Sequence, residues 1–198
     1  MHTAKKIIAP MYVRTTHWLN ALAVILMITS GLKIYNASPI FDFLIPNALT
    51  TGGWLGGALL WHFAFMWLLI VNGLIYLALN LSTGRLFMKF FPLSIKSLFV
   101  DVIKTLKGKL SHEDLSQYNT IQKLAYLSAI ADVVLLILSG LVIWKPVQFG
   151  LLRDLMGGFD NARIVHFFAM TFMAGFIVIH VLMVALVPKT LLVMLRGR

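Results

Sequence analysis

The sequence contains no cysteine and few charged residues. With no cysteine among its 198 residues, the chain cannot form a disulfide, ligate an iron–sulfur cluster through cysteine or attach a c-type haem through a C-x-x-C-H motif. Any haem must therefore be held non-covalently. Only 12% of the residues are charged and 60% are hydrophobic, and the mean hydropathy is +0.88. A soluble domain of this size does not need so much apolar surface.

Four hydrophobic stretches are each long enough to cross the hydrocarbon core of a bilayer, which takes about 20 apolar residues. They cover roughly residues 15–35, 55–81, 121–144 and 162–187. We therefore predict an all-α integral membrane protein in which one domain, residues 1–198, forms a four-helix bundle. A basic segment before the first stretch is also typical of a signal peptide. That stretch is long, lacks a small-residue cleavage site and is followed by three more, so we expect it to be a retained span.

The net charge of +10 is explained by membrane topology and does not indicate nucleic-acid binding. Thirteen of the 17 basic residues lie before the first stretch, between the second and third, or after the fourth, when Lys123 at the start of the third stretch is included. Only Lys33, Lys145, Arg153 and Arg163 lie on the other side. The positive-inside rule then places both termini in the cytoplasm, and we expect a multi-pass protein of the bacterial inner membrane.

An amphipathic helix is predicted between the second and third stretches. Its apolar residues follow the i, i+3, i+4 spacing of one helical face, and its lysines lie elsewhere on the helix. The apolar set is Ile95, Leu98, Phe99, Val102, Ile103 and Leu106. We expect this helix to lie on lipid at the inner membrane surface, although docking of a partner is an alternative. His2 and His112 belong to a tail and a loop and carry no functional signal.

Four histidines, His17, His62, His166 and His180, lie inside the apolar stretches. His166 and His180 are separated by a helical rise of about 21 Å and a rotation of roughly 40°, so one helix presents both near one face at two depths. With the N-terminus inside, His17 and His180 are expected near the cytoplasmic side, and His62 and His166 near the outer side. An ionisable residue at membrane depth is costly and marks a function by default. Two facing imidazole pairs suit two bis-histidine haems.

Two other interpretations of these histidines were considered against the haem hypothesis. A single histidine in a membrane helix is often only hydrogen-bonded to a neighbouring helix, but four that pair by depth make this explanation weaker. Zinc and copper also bind imidazole, yet their sites need three or four converging ligands. Here the ligands are divided between two levels, which favours haem.

The two halves of the chain contain a weak internal repeat. Ser30-Gly31-Leu32 near the end of the first stretch recurs as Ser139-Gly140-Leu141 near the end of the third, and His62-Phe63-Ala64 resembles His166-Phe167-Phe168. A glycine at haem depth leaves room for the flat macrocycle. Alternatively, these glycines simply allow helices to approach closely.

Three charged residues flank or interrupt the apolar stretches. Arg14 and Arg163 each lie three residues before a histidine, where either could pair with a haem propionate or extend to the membrane surface. Asp132 lies in the middle of the third stretch. It is either a proton-handling group at a quinone site or a protonated or hydrogen-bonded carboxyl facing Asn20, Asn72 or Ser128.

The whole chain resembles the bacterial di-haem b-type cytochromes, which include prokaryotic cytochrome b561 and the cytochrome subunits of nickel–iron hydrogenases and thiosulfate reductases. The resemblance implies a four-helix bundle with two haems, held by His17, His62 and the two fourth-helix histidines. The segments that carry it are Arg14-Thr-Thr-His17-Trp18-Leu-Asn20 with Ser30-Gly31-Leu32, His62, Tyr118-Asn119 before Gln122-Lys-Leu-Ala-Tyr126, Ser139-Gly140-Leu141, and Arg163-Ile-Val-His166 with His180. Asp132 matches no motif of the family.

The resemblance also implies partners. Residues 147–158 resemble members paired with an extracytoplasmic molybdenum-containing oxidoreductase, while hydrogenase-like partners and stand-alone quinone-linked cytochromes also occur in the family. We therefore predict a di-haem cytochrome b that transfers electrons between the quinone pool and a redox partner. The alternatives are a superoxide:quinone oxidoreductase, which would be an enzyme in its own right, and a non-redox membrane protein with structural histidines.

Overall fold

The computed structural model of the chain describes residues 7–107 and 117–198, and all regular structure in these residues is helical. The prediction of an all-α protein is therefore confirmed. Parts of the charge and histidine predictions depend on residues that lie outside these ranges, namely His2, Lys5, Lys6, Lys109 and His112. The helices are α1 (Met11–Ala37), α2 (Leu55–Ser82), α3 (Arg85–Phe90), α4 (Ile95–Leu106), α5 (Thr120–Trp144), α6 (Gly150–Leu155), α7 (Phe159–Leu186) and α8 (Lys189–Arg196).

Four of these helices, α1, α2, α5 and α7, are long and apolar enough to cross a membrane, as predicted. Large apolar side chains in them remain exposed, with Leu74 at 62% and Val178 at 69%, which is the surface expected of helices that contact lipid. The first helix begins four residues earlier than predicted, directly after Pro10, because Arg14 and the threonines beside it do not interrupt a helix. The chain is an integral membrane protein.

The described structure divides into two compact units. The first comprises Met1–Phe87 together with Lys189–Arg198, and the second comprises Met88–Pro188. Each unit contains one pair of spanning helices: α1 packs on α2 in the first, and α5 packs on α7 in the second.

In the first unit, hydrogen bonds between α1 and α2 define their antiparallel register. The Asn72 side chain donates its Nδ2 hydrogens to the Thr16 carbonyl at 2.8 Å and to Asn20 Oδ1 at 2.6 Å. Nearer the other end of the pair, His62 of α2 contacts Ser30 of α1. Since residue numbers rise along one helix as they fall along the other, the two helices run antiparallel.

The connection between α1 and α2 is held to the end of α1 by several hydrogen bonds. The Thr51 amide donates to the Thr29 carbonyl at 3.1 Å, and the Asn36 side chain both donates to and accepts from the backbone of Ile45 at 2.8 Å. Lys33 Nζ donates to Asn47 Oδ1 at 2.9 Å. This long connection is therefore ordered against its own helix pair.

In the second unit, polar groups satisfy the amides at the start of α5. Asn119 and Gln122 form a reciprocal capping box, which satisfies helix N-terminal donors that have no partner within the helix. Asp101 of α4 is buried and accepts a hydrogen bond from the Thr120 amide at 2.7 Å. This hydrogen bond connects the amphipathic helix α4 to the start of the spanning helix α5.

Helix α4 covers the segment predicted to be amphipathic, and its outward face is apolar. Ile95, Phe99 and Ile103 are 76%, 65% and 52% exposed, while Asp101 points toward α5. The presence of the helix is thus confirmed. Its location at the inner membrane surface stays a prediction.

Candidate functional site

In the first unit, the imidazole of His62 contacts the backbone and side chain of α1. Its Nδ1 lies 3.1 Å from the Met27 carbonyl oxygen and 3.2 Å from Ser30 Oγ. A carbonyl oxygen can only accept, so Nδ1 must carry the hydrogen. The Ser30 hydroxyl uses its own hydrogen on the Leu26 carbonyl at 2.6 Å, and its oxygen therefore accepts from Nδ1 as well.

In the second unit, His166 makes the corresponding contact with α5. Its Nδ1 lies 2.9 Å from Ser139 Oγ, and Ser139 is fully buried. The Ser139 hydroxyl donates its single hydrogen to the Leu135 carbonyl at 2.7 Å. With that hydrogen on the carbonyl, the hydroxyl oxygen is left to accept from Nδ1 of His166, which is the same assignment that the Met27 carbonyl requires of His62.

Both contacts select the same imidazole tautomer. With the hydrogen on Nδ1, the lone pair of His62 and His166 lies on Nε2, which is the arrangement of a histidine ready to ligate a metal. The serine behind each ring also fixes its orientation, as outer-shell partners of ligating histidines do. The two serines therefore act as positioning residues for the rings.

The internal repeat predicted from the sequence corresponds to a local structure that occurs in both units, in which a Ser-Gly pair of one helix lies against a histidine ring of the other. A Cβ added at Gly31 would lie 3.4 Å from Cε1 of His62, and a Cβ at Gly140 would lie 3.4 Å from Cε1 of His166. Each glycine thus lies against the Cε1–Nδ1 edge of its histidine ring, at a distance where an added Cβ would make ordinary van der Waals contact. In each unit a fully buried alanine, Ala58 or Ala162, lies four residues before the histidine.

The helix register separates the histidines of each unit into two levels. His62 lies beside Met27 and Ser30, about 12 residues and thus about 18 Å along α1 from His17. In the second unit, His166 and His180 are separated by about 21 Å along α7. The ligand pairs predicted from depth each take one histidine from each unit, and they stay a prediction.

The remaining two histidines have aromatic neighbours. The ring of His17 meets Trp18 edge-on at a centroid distance of 5.4 Å, and the ring of His180 stacks on Phe176 at 5.8 Å. The described residues contain no group of three or more histidine, cysteine or acidic side chains that could hold a metal ion.

The two arginines near the histidines both have protein contacts. Arg163 Nη1 lies 3.8 Å from Asp160 Oδ1. Arg14 Nη1 donates to the Leu195 carbonyl at 2.7 Å and thereby satisfies a carbonyl in the last turn of α8. Arg14 Nε is buried and has no hydrogen-bond partner among the described residues. Arg14 also borders a cavity of about 250 Å³ between α1 and α8, lined further by Met11, Thr15, Trp18, Met194 and Leu195.

The duplicated serine–histidine contact and the four spanning helices agree with a comparison with known families. The model of the prokaryotic cytochrome b561 family matches residues 9–197. The chain belongs to the prokaryotic cytochrome b561 family. It is therefore a membrane protein that binds b-type haem and transfers electrons to a partner.

A protein from Azospira oryzae (strain ATCC BAA-33 / DSM 13638 / PS) is 58% identical to the chain over 190 residues, which is 96% of each protein. Its name, YedZ1, proposes it as a subunit of a protein-methionine-sulfoxide reductase. No solved structure matches the chain.

The residues present fit the b-type haem that membership of the cytochrome b561 family implies. The chain offers imidazole nitrogens rather than thiolates, and in His62 and His166 Nδ1 is engaged with a serine, so that the nitrogen suited to ligate iron is Nε2. Ligation by two imidazoles needs no covalent attachment. The donor set is thus that of a non-covalent, bis-histidine haem.

The sequence interpretation missed the role of three polar side chains in this family member. Ser30 and Ser139 were noticed only as neighbours of repeated glycines, although their shared position in the repeated Ser-Gly-Leu segment was a usable signal. Asn72 joins α2 to Thr16 and Asn20 of α1, and no pattern in the sequence pointed to that pair.

Asp132 is buried in α5, with 8% of its surface exposed. Its Oδ2 atom has no hydrogen-bond partner among the described residues. Two of the neutralising groups suggested from the sequence, Asn20 and Asn72, are hydrogen-bonded to each other in the first unit. Asp132 is therefore a buried polar group that the ligand arrangement does not explain.

Proposed function

We propose that the chain is a di-haem cytochrome b that carries electrons between the quinone pool and an extracytoplasmic oxidoreductase. The observation that carries this proposal is the duplicated contact in which a buried serine of one spanning helix accepts from Nδ1 of a histidine on the next. The two copies, one per helix pair, position the two imidazoles that would ligate one haem, and His17 and His180 would ligate the second haem at the other level.

The proposed ligand pairs are His17 with His180 and His62 with His166. Support comes from each unit separately, because the first separates its histidine levels by about 18 Å and the second by about 21 Å. Equal spacing allows two pairs, one toward each side of the bilayer. The distribution of basic residues places the first pair toward the cytoplasm.

A haem ligated by two imidazoles would supply one-electron, outer-sphere transfer. The chain's own residues would hold and orient it. Ser30 and Ser139 would fix the rings of His62 and His166, against which Gly31 and Gly140 lie.

Arg14 and Arg163 are the proposed partners of the haem propionates. Arg14 has a buried Nε without a protein acceptor and borders a cavity, while Arg163 lies one helical turn before His166 and is only 25% exposed. A carboxylate at either position would form a charge-assisted hydrogen bond.

A surface near α6 is the proposed docking site for the redox partner. Val147, Leu151 and Leu155 follow a spacing of four residues and are 81%, 78% and 76% exposed. They lie in residues 147–158, the segment that resembles partner-bound members of the family. The name of the Azospira oryzae relative supports an oxidoreductase partner. We propose a molybdenum-containing or hydrogenase-like enzyme, with quinone as the other reactant.

The haem count tests the proposal directly. The purified protein is expected to contain two extractable b haems per chain in a pyridine haemochrome assay, and a low-spin absorption spectrum. One haem per chain would contradict the ligand pairs, and no haem would contradict the function as a whole.

Reduction by a quinol tests the proposed electron donor or acceptor. A soluble quinol analogue added to the oxidised protein is expected to reduce at least one haem. If the quinol fails while a co-purifying oxidoreductase with its substrate reduces the haems, the quinone part of the proposal is wrong and the cytochrome part stands.

A further inference from the structure

Asp132 is the one acidic residue in the interior of the four spanning helices. It lies twelve residues from each end of α5 (Thr120–Trp144) and is buried with one carboxylate oxygen lacking a protein partner. A buried ionised group is costly unless something balances its charge. A carboxyl at this depth therefore indicates a function that offsets its cost in stability.

The face of α5 that carries Asp132 is the face that contacts α7. Asp132 and Ser139 are seven residues apart, which brings them within about 20° of each other around the helix. Ser139 contacts His166 of α7, and both Ser139 and Asp132 are buried. Asp132 thus belongs to the seam that positions a haem ligand.

The internal repeat shows that this position does not need a polar residue for folding. Ser139 corresponds to Ser30 in the first helix pair, so that Asp132 corresponds to Ala23. Ala23 is fully buried between Thr16 and Ser30 on the seam of α1. A small apolar residue therefore occupies the equivalent position in the other helix pair, and packing of the helices does not require a carboxyl there.

The depth of Asp132 is midway between the two proposed ligand levels of α7. Ser139 is level with His166, and since α5 and α7 run antiparallel, residue 125 is level with His180. Asp132 is seven residues from each of these positions, about 10 Å in either direction. A negative charge on Asp132 would therefore change the electrostatic potential at both ligand levels by a similar amount.

We propose that Asp132 is a proton-binding site whose occupancy is linked to reduction of the haems. This inference depends on the proposed di-haem function. Asp132, as a carboxylate, balances the extra positive charge of the ferric state. When the quinol or the redox partner of the proposed function supplies an electron to the haems, Oδ2 of Asp132 would bind one proton from the solvent, so that one negative and one positive charge enter together. The only bond formed is the O–H bond of the carboxyl.

Other titratable and charged groups lie on the elements packed against α5, and none has a hydrogen bond with Asp132 in the described structure. On α7 the nearest in level are the proposed ligands His166 and His180. On α5 itself, Tyr126 is six residues from Asp132 and Lys123 is nine. The other groups are Asp160 and Arg163 on α7, Lys96, Asp101 and Lys104 on α4, and Arg153 and Asp154 on α6. Asp101 is bonded to the Thr120 amide, and Arg153 is paired with Asp154.

The test is a redox titration of the haem-loaded protein at several pH values across neutrality. In the wild-type protein the midpoint potential of at least one haem is expected to fall as the pH rises, and in Asp132→Asn this dependence is expected to disappear. Asp132→Glu keeps a carboxyl and is expected to keep the dependence. Asp42→Asn removes the same charge from an exposed position in the connection between α1 and α2 and serves as the matched control, with the wild-type pH dependence.

A second measurement detects the proton itself and does not require the asparagine variant to fold. The reduced-minus-oxidised infrared spectrum of the wild-type protein is expected to show a protonated carboxyl band that shifts when aspartate is isotopically labelled. A merely structural Asp132 would produce no such band. Absence of this band, pH-independent wild-type potentials, or an unchanged dependence in Asp132→Asn would each overturn the proposal, whereas absence of haem would instead overturn the function on which it depends.

Discussion

Replacing Ser139 with alanine should weaken the haem site of His166 without removing a ligand. In the native protein the buried Ser139 oxygen accepts from Nδ1 of His166 at 2.9 Å and its hydrogen goes to the Leu135 carbonyl at 2.7 Å. Alanine removes the acceptor, so the ring is no longer held in the tautomer that presents Nε2. The imidazole also becomes a poorer electron donor because its N–H is less polarised.

The expected size of the effect follows from the burial of this contact. Loss of an outer-shell partner of a ligating histidine typically lowers metal affinity about 10- to 100-fold, which corresponds to about 1.4 to 2.7 kcal/mol. The cost of leaving one buried donor unsatisfied is about 1 to 3 kcal/mol, so the two figures agree. The potential of this haem should also become more positive, since the weaker donor stabilises Fe(III) less.

The assay is the rate of haem transfer from the purified protein to an apo-globin acceptor, combined with a redox titration. Ser128→Ala is the matched control, because Ser128 is an exposed serine on the same helix, and it should behave as the wild-type protein does. Ser139→Thr keeps a hydroxyl and should retain haem better than Ser139→Ala. Equal haem retention and equal potentials in Ser139→Ala and Ser128→Ala would refute the tautomer argument.

Further expectations concern the ligands, the helix contacts and α4. In redox titrations, alanine variants of the four proposed ligands should change the midpoint potentials in two groups, His17 with His180 and His62 with His166. Grouping of His17 with His62 would contradict the topology. Carbon monoxide should leave the reduced spectrum largely unchanged, because rapid binding would require an open axial position. Asn72→Leu should destabilise the α1–α2 pair by about 1 kcal/mol in a denaturant titration, and an unchanged midpoint would show that its two hydrogen bonds contribute little. Asp101→Ala should increase proteolysis at α4, since the Thr120 amide loses its acceptor, whereas Asp42→Ala in the connection between α1 and α2 should not.

The sequence alone was sufficient to predict the spanning helices and the choice of cofactor. Runs of apolar residues in α1, α2, α5 and α7 specify membrane helices locally, because each helix satisfies its own backbone hydrogen bonds in lipid. The spacing of His166 and His180 on α7 is likewise a property of one helix, so both depths follow from 1.5 Å per residue. The absence of cysteine restricted haem to non-covalent ligation before any contact was known.

The contacts between helices required the tertiary structure. Ser30 and His62 are 32 residues apart and Ser139 and His166 are 27 apart, so whether a hydroxyl meets an imidazole depends on the register of two packed helices. Two alternative registers of the same helix pair would differ by a shift of one helical turn. Such a shift leaves the hydropathy pattern almost unchanged. Only the packed pairs decided which ring nitrogen carries the hydrogen. The same packing placed Asp132 on the α5–α7 seam, because a side chain's depth is local to its helix whereas its neighbours are set by the partner helix.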